Sequence, residues 1–495
     1  LKLAELAKEI SAIAATGQLD IEAFDVTHDS RACEPGSVFV AIRGEKVDAH
    51  RFIPQAVGRG AVAVISDLPR GAEVDAWIRV ADVRIALARS AAAVHGYPSE
   101  RLKLVGVTGT NGKTTTAHLI DSIIRVSEGT SAMFGTIIHR VGNEVIDAAN
   151  TTPEASDIQR MLAQAVDAGC RSAVMEVSSH AIELHRADAL RFEVAVFTNL
   201  TRDHLDYHET MESYFSAKKK LFDGSLASAP GVSVINLDDE YGRRLISSAK
   251  GKRTTYGVGD AADVGTDDFK LSPRGIAFTA RTPAGKIEIL SPLVGRFHVY
   301  NILAAVASGL ALGASLDAIA RGVAECRTVS GRFEQVVLSD SPQTAFTVYV
   351  DYAHTDDALR NVLLTAREVA GTSRVITVFG CGGDRDRTKR APMGEIAASL
   401  SDVAIVTSDN PRTEDPEAII DDIEAGLRKT NRAYLKVTDR REAIFRAVRE
   451  AREGDVLVIA GKGHETYQVI GERKTHFDDH EVAKEAMVEA LRRVS

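Results

Sequence analysis

The run Gly109-Thr110-Asn111-Gly112-Lys113-Thr114-Thr115 combines residue types that together handle phosphate. Glycines let the backbone turn its N–H groups toward an anion at close range, and a helix starting behind the turn adds its positive end. Lys113 supplies a point charge for the outer phosphates of a nucleotide, and the Thr114 hydroxyl suits Mg²⁺. The general phosphate-loop pattern calls for glycine where Val107 stands, with Gly106 and Gly109 on either side. The plain alternative is a glycine turn with a chance Lys-Thr pair. An apolar strand ahead of the loop and a helical pattern behind it favour the nucleotide reading. Glu176 and His204 are further Mg²⁺ candidates, directly or through water. Their ordinary alternatives are an ion-paired carboxylate and a core histidine bonded to Asp203 or Asp206. His204 and His208 have the i, i+4 spacing of a zinc helix, but no convincing third ligand accompanies them, so zinc is discounted.

A second set of residues alternates in sign. Asp384-Arg385-Asp386 and Asp409-Asn410-Pro411-Arg412 suit a zwitterion better than a phosphate chain, and two arginines suit a carboxylate through bidentate bonding. A surface ion-pair network is the competing reading. Gly331-Arg332 and Asp351-Tyr352-Ala353-His354 offer an arginine for a phosphate and an aspartate for a ribose, which composition does not settle. Thr27-His28-Asp29-Ser30-Arg31 is either a capped turn or a polar ligand site with Arg31 as anion partner. Tyr214 to Phe222, with Lys218-Lys219-Lys220, reads from composition as an amphipathic helix with a solvated basic face.

These residues need elements to hold them. Val105 to Thr108, Ser172 to Val177, Val194 to Leu200 and Val232 to Asn236 are apolar runs ending in polar residues and followed by helical stretches. Val375 to Phe379, Val403 to Val406 and Val456 to Ala460 repeat that pattern toward the end of the chain. Such runs predict parallel strands covered on both faces, with ligands beyond their carboxyl ends. That rule puts Lys113, Thr114, Glu176, Ser178, Asp203 and His204 on one rim, and Arg385, Asn410 and Arg412 on another. The 495 residues exceed one ordinary core. The expected units are α/β throughout: a small one over 1–102, a central phosphate-loop unit with a parallel sheet over 103–330, and a Rossmann-like unit over 331–495.

A net charge of -9 without a long basic run argues against nucleic acid as a partner. No stretch reaches the apolar length of a membrane helix, and the start is no signal peptide. Cys33, Cys170, Cys326 and Cys381 are scattered, with neither metal nor disulfide spacing, so a reducing cytoplasm is expected.

Taken together, these motifs resemble the Mur ligase family, ATP-dependent peptide synthetases of bacterial wall precursor assembly. The similarity covers nearly the whole chain and includes Glu176-Val177-Ser178-Ser179-His180, Thr198 to His208 and Asp351-Tyr352-Ala353-His354. Within the family the chain looks like the MurE type, which adds the third stem-peptide residue to UDP-N-acetylmuramoyl-L-alanyl-D-glutamate. Asp409-Asn410-Pro411-Arg412 matches the signature of members that select meso-diaminopimelate over lysine. The resemblance implies an acyl-phosphate mechanism with ATP as co-substrate, two Mg²⁺ ions and a cytoplasmic monomer. It implies ATP contacts at Gly109, Thr110, Asn111, Gly112, Lys113, Thr114, Thr115, Asn301, Arg332, Asp351 and His354. Metal contacts are implied at Thr114, Glu176, His204 and Lys218, with Lys218 carbamylated into a carboxylate-like ligand. Lys113, Lys218, His204 and Glu176 would be the catalytic group. The UDP-sugar dipeptide would meet Ser30, Asn150, Thr151, Thr152, Ser178 and Arg186. Diaminopimelate would meet Arg385, Asp409, Asn410, Pro411, Arg412, Gly461 and Glu465. The chain departs from the family pattern at Glu45-Lys46-Val47, Leu184, His298 and Asp356. A lysine-adding ligase, a phosphotransferase or nucleotide switch, and a non-catalytic binding protein are the alternatives.

Overall fold

Alternation along the strands decides how the central sheet is covered. Val105, Val107, Val174, Val194 and Val196 pack into one apolar cluster. Leu104, Ala173, Met175, Ala195 and Phe197, the residues between them, pack into a second on the opposite face. Successive side chains point to opposite faces of a strand, so runs apolar at every position must be buried on both sides. The first cluster is completed by helices Lys113–Glu128 and Phe297–Leu312, the second by Ala155–Asp167 and Met211–Asp223.

The computed structural model describes residues 1–494 apart from 45–46, 72–73, 339–343 and 431, so Glu45 and Lys46 lie outside the described residues. It contains three large sheets. The first, five-stranded, runs in the order Ala14–Gly17, Ala76–Arg79, Ala63–Ser66, Ser37–Val40, Asp25–Thr27, with only the first pair antiparallel. The central sheet has twelve strands and is not wholly parallel as expected. Its parallel middle contains Ala132–Phe134, Ser172–Glu176, Lys103–Thr108, Val194–Phe197, Val232–Asn236 and Lys252–Val258. Antiparallel strands flank it on both sides, built from the hairpins of 138–147 and 269–291. Gly275–Thr282 and Gly285–Ser291 largely alternate buried with more exposed positions and Glu144–Asp147 is exposed throughout, so none forms the continuous apolar run that the criterion detects.

The third sheet is parallel over Thr347–Asp351, Val456–Ala460, Val375–Phe379, Val403–Val406 and Tyr434–Lys436, with Glu334–Gln335 antiparallel at its edge. Helices Asp356–Ala370, Arg390–Leu400 and Pro416–Leu427 cover one face, and Arg440–Glu450 with Asp479–Val494 cover the other. Register aligns Glu176 with Val107, Phe197 with Thr108, and Asp351 with Ala460. The polar residues beyond these strand ends therefore emerge side by side. No helix among the described residues is long and apolar enough to cross a membrane.

Candidate active site

The loop after Lys103–Thr108 is held by its own geometry. Gly109 and Gly112 have φ of 150° and 85°, in the region that favours glycine. A Cβ on Gly109 would stand 1.9 Å from Thr198 Oγ1, and one on Gly112 2.4 Å from Asn301 Oδ1. The Asn111 backbone N–H donates to Asn199 Oδ1 at 2.9 Å, and Thr110 Oγ1 contacts Thr201 O and Tyr214 OH, each at 3.2 Å. Lys113 Nζ folds back onto Gly109 O and Thr110 O at 3.0 and 2.8 Å, and burial lowers its pKa. Thr115 and Thr116 are buried on the helix that follows, where Thr116 Oγ1 donates to Asn301 Oδ1 at 3.4 Å. The Asn301 amide also meets His298 Nδ1 at 3.2 Å, and burial pushes His298 down to about 3.

Beside the loop, Thr114 Oγ1 donates to Glu176 Oε2 at 3.0 Å, while Arg332 Nη2 donates to Thr114 Oγ1 at 3.1 Å. Glu176 is fully buried and accepts from Thr136 N and Thr136 Oγ1 at 2.7 and 3.0 Å. His204 sits in the left-handed region at φ 55°, with its ring 3.3 Å from Asp203 Oδ2 and 4.8 Å from the His180 ring centroid. Burial, then His180 and Lys218 nearby, pushes His204 down to about 3 despite Asp203. His208 is turned away, bonded to Ser179 Oγ at 2.9 Å.

Lys218 corrects the compositional reading of its helix. Lys219 and Lys220 pair with Asp223 and Glu183, whereas Lys218 is 1 % exposed and donates to Gly109 O at 3.0 Å. Burial, reinforced by Lys113, lowers its pKa far below the ordinary lysine range. A neutral buried amine is the form that adds CO₂, so the surroundings fit a carbamate. Thr114 and Glu176 fit Mg²⁺ as an adjacent hydroxyl and carboxylate, the hard oxygen donors this ion takes. Among the described residues no group of three or more His, Cys, Asp or Glu converges to hold a metal alone. This oxygen pair therefore suits an ion that completes its shell from phosphate and water.

From here one cleft of about 1190 Å³ runs in two directions. Toward the first sheet it is lined by Asn150, Thr151, Thr152, Ser178 and Arg186. Thr152 Oγ1 donates to Glu176 O at 2.9 Å and accepts from Ser178 N at 3.1 Å, and Arg186 Nη1 donates to Thr152 O at 3.0 Å. Thr151 Oγ1 lies 3.1 Å from Thr136 Oγ1, close enough to donate to it. Ser30 does not join this wall. Its hydroxyl donates to Gln55 Oε1 at 2.8 Å within the first unit, and neighbouring Arg31 is paired with Asp29, the residue that caps the Ser30–Ala32 turn.

In the other direction the cleft reaches the third sheet, so the two rims form a single space. Asp351 accepts from Phe333 N and Ala353 N, each at 2.7 Å, and burial raises it to about 6 despite Arg332. His354 Nε2 lies 4.0 Å from Asp203 Oδ2, and its Nδ1–H donates to Tyr352 O at 2.9 Å. Arg385, Asp409, Asn410, Arg412, Gly461 and Glu465 line the far end. Arg412 has φ 53° and donates Nη1 to Gly383 O at 2.8 Å, and Arg385 donates Nη1 to Asp384 O at 3.0 Å. Among the described residues neither arginine meets a carboxylate, which sets them apart from the surface-network reading. The acids flanking Arg385 are engaged locally, Asp384 by Thr413 and Asp386 by Thr388. Asn410 Nδ2 donates to Glu465 Oε2 at 2.9 Å, and burial raises the Glu465 pKa. Pro411 lies behind this wall, its carbonyl packed on Gly383.

Several wall residues escaped the sequence reading. Thr136 follows the short strand Ala132–Phe134 and would have been found by the strand-end rule had that run been longer. Asp357 accepts from Asn111 Nδ2 at 2.9 Å, and behind it Asp356, already noted as a departure from the family pattern, pairs with Arg202 at 3.1 Å. These are contacts between units and leave no local signal. Lys389, Lys462 and Tyr467 also approach the far end.

Three family models match the chain: "Mur ligase family, catalytic domain" over 25–105, "Mur ligase middle domain" over 107–309, and "Mur ligase, glutamate ligase domain" over 331–463. Proteins named UDP-N-acetylmuramoyl-L-alanyl-D-glutamate–2,6-diaminopimelate ligase are similar over most of their length. That of Solibacter usitatus is 49% identical, covering 94% of both chains, and that of Geobacter metallireducens 48%, covering 97% of both. A solved structure of a ligase with that name is 34% identical, with a TM-score of 0.68 and 99% of each chain covered. The fold is shared with MurF of Thermotoga maritima, solved in complex with ADP, at 18% identity and a TM-score of 0.66, covering 97% of this chain and all of that one. With a phosphate loop, a buried lysine and an arginine-lined pocket in one cleft, and with these similarities over nearly its full length, the chain belongs to the Mur ligase family.

Proposed function

We propose that this protein is the ATP-dependent ligase that joins meso-diaminopimelate to the D-glutamate of UDP-N-acetylmuramoyl-L-alanyl-D-glutamate. The observation that carries this reading is the continuity of one cleft, from the phosphate loop at Lys113 to two arginines, Arg385 and Arg412, that have no carboxylate partner among the described residues. Phosphate activation and recognition of a second carboxylate-bearing reactant then share one space. In this reading the units divide at 102/103 and 330/331, and the protein works as a cytoplasmic monomer.

Lys113 and the N–H groups of 109–115 hold the outer phosphates of ATP, and Arg332 adds charge beside Thr114. Asn301, Asp351 and His354 surround the remainder of the nucleotide. Thr114 and Glu176 would hold one Mg²⁺, with His204 and carbamylated Lys218 at a second, and the ions supply neutralisation of phosphate charge. Asn150, Thr151, Thr152, Ser178 and Arg186 orient the UDP-dipeptide, with Ser30 meeting its nucleotide-sugar end. An oxygen of the D-glutamyl γ-carboxylate attacks the γ-phosphorus, the bond to ADP breaks, and an acyl phosphate forms. Arg385, Asp409, Asn410, Arg412, Gly461 and Glu465, backed by Pro411, present diaminopimelate with its amine toward that carbonyl. The amine nitrogen attacks the carbonyl carbon, loses its proton, and phosphate leaves from the tetrahedral intermediate. Catalysis is mainly positioning and electrostatic stabilisation in a water-poor cleft.

A heavy-oxygen label in the dipeptide's γ-carboxylate tests the sequence of steps. One labelled oxygen is expected in the released phosphate for each amide formed. Phosphate free of label would overturn the acyl-phosphate route.

A further inference from the structure

Lys462 follows the strand Val456–Ala460 and is fully buried, yet no step above uses it. Its ammonium donates to Asn410 Oδ1 at 3.0 Å and to Tyr467 O at 2.8 Å. It also approaches Asp409 Oδ1 at 3.1 Å. That contact pairs the two buried charges directly. Burial raises the Asp409 pKa, but Lys462 and Arg440 outweigh it and hold the carboxylate charged. One cation thus ties a strand end, the Asp409–Arg412 turn and the hairpin Tyr467–His476 together.

The consequence falls on the Asn410 amide. Its Oδ1 accepts from Lys462 Nζ and also from Val469 N at 3.0 Å, while its Nδ2 donates to Glu465 Oε2 at 2.9 Å. A flipped amide would set its NH₂ group against an ammonium and an N–H, and its oxygen against a carboxylate. Each of these is repulsive, so one orientation is fixed. In that orientation the amide oxygen is doubly engaged and only the second Nδ2 hydrogen is left, so toward the cleft it lines the Asn410 amide can offer a donor and not an acceptor. Such a group favours a ligand carboxylate and disfavours an ammonium at the same point.

We infer that Lys462 is a positioning residue for amino-acid selection: it locks the Asn410 amide so that the pocket reads a carboxylate, which diaminopimelate carries at both ends and L-lysine at one. The inference rests on the ligase reading given above. The test is steady-state ligation by full-length Lys462→Met protein, with separate KM values for diaminopimelate and ATP and with L-lysine as competing amine. The KM for diaminopimelate should rise about tenfold or more, the loss of one charge-assisted hydrogen bond. The preference for diaminopimelate over L-lysine should fall by about the same factor, with KM for ATP changed less than about twofold.

Because Lys462→Met strands a buried carboxylate, the double variant Asp409→Asn/Lys462→Met, which removes both charges, serves if the single variant does not fold. A folded variant with unchanged KM for diaminopimelate and unchanged selectivity overturns the role of Lys462. So does a loss shared equally by both amines and ATP, which is mere structural support. Wild-type protein that forms an amide with neither amino acid sinks the ligase reading itself.

Discussion

Two lysines contend for one carbonyl. Lys113 and Lys218 both donate to Gly109 O at 3.0 Å, and burial lowers the pKa of each. Two cations so close in a dry site are unfavourable, which carbamylation of Lys218 would relieve by inverting its charge. Lys218→Ala should lower kcat at least about a hundredfold and leave KM for diaminopimelate nearly unchanged. Intact-mass measurement should find one CO₂ on the native chain. Activity equal to wild type would remove Lys218 from the mechanism. Arg412 offers a second residue-scale test. Arg412→Lys keeps the charge but loses the planar fork, so KM for diaminopimelate should rise about tenfold with KM for ATP retained. The residue types of both sites were legible in the sequence, because glycine, Lys-Thr and paired arginines carry their chemistry with them. The burial of Lys218 was not: its neighbours Lys219 and Lys220 do face carboxylates at the surface, and only packing against the loop separates the three.

At the scale of elements, strand ends do the positioning. Polar residues after Lys103–Thr108, Ser172–Glu176 and Val194–Phe197 meet because these strands are neighbours in register, a fact the apolar runs announce. The edge hairpins of the central sheet were illegible by that criterion, since none of their strands is apolar at every position. Gly112→Ala tests the loop: an L-residue at φ 85° costs about 1–2 kcal/mol, and its Cβ would displace Asn301. ATP turnover should drop at least about tenfold, with a lowered melting temperature. Asp351, at the end of Thr347–Asp351, gives a pH test. Burial raises its carboxyl from the ordinary 3.8 to about 6. The folded state therefore binds the proton more tightly than the unfolded one. The stabilisation is full below 3.8 and is lost as pH rises through about 6. The loss is on the order of 3 kcal/mol. Wild-type stability measured against Asp351→Asn across that window should fall with pH. A constant difference would contradict the assignment.

The whole molecule sets the central and third sheets around one cleft, and contacts between these two units close its walls. Arg332 reaches Thr114 at 3.1 Å, Asn111 meets Asp357 at 2.9 Å, and Arg202 meets Asp356 at 3.1 Å. None of these pairs is near in sequence, which is why the motifs predicted two rims and the fold joins them. The order of the units was readable from repeated strand–helix patterns, whereas their mutual placement depends on such long-range pairs. The central claim is that this cleft couples ATP breakdown to amide formation with an amino acid carrying two carboxylates. It is tested most directly by incubating the protein with ATP, Mg²⁺, UDP-N-acetylmuramoyl-L-alanyl-D-glutamate and either meso-diaminopimelate or L-lysine, and weighing the products. The account predicts ADP, phosphate and the tripeptide product with diaminopimelate, and little or none with L-lysine. Equal or better use of L-lysine, or phosphate release without an amide, would contradict it.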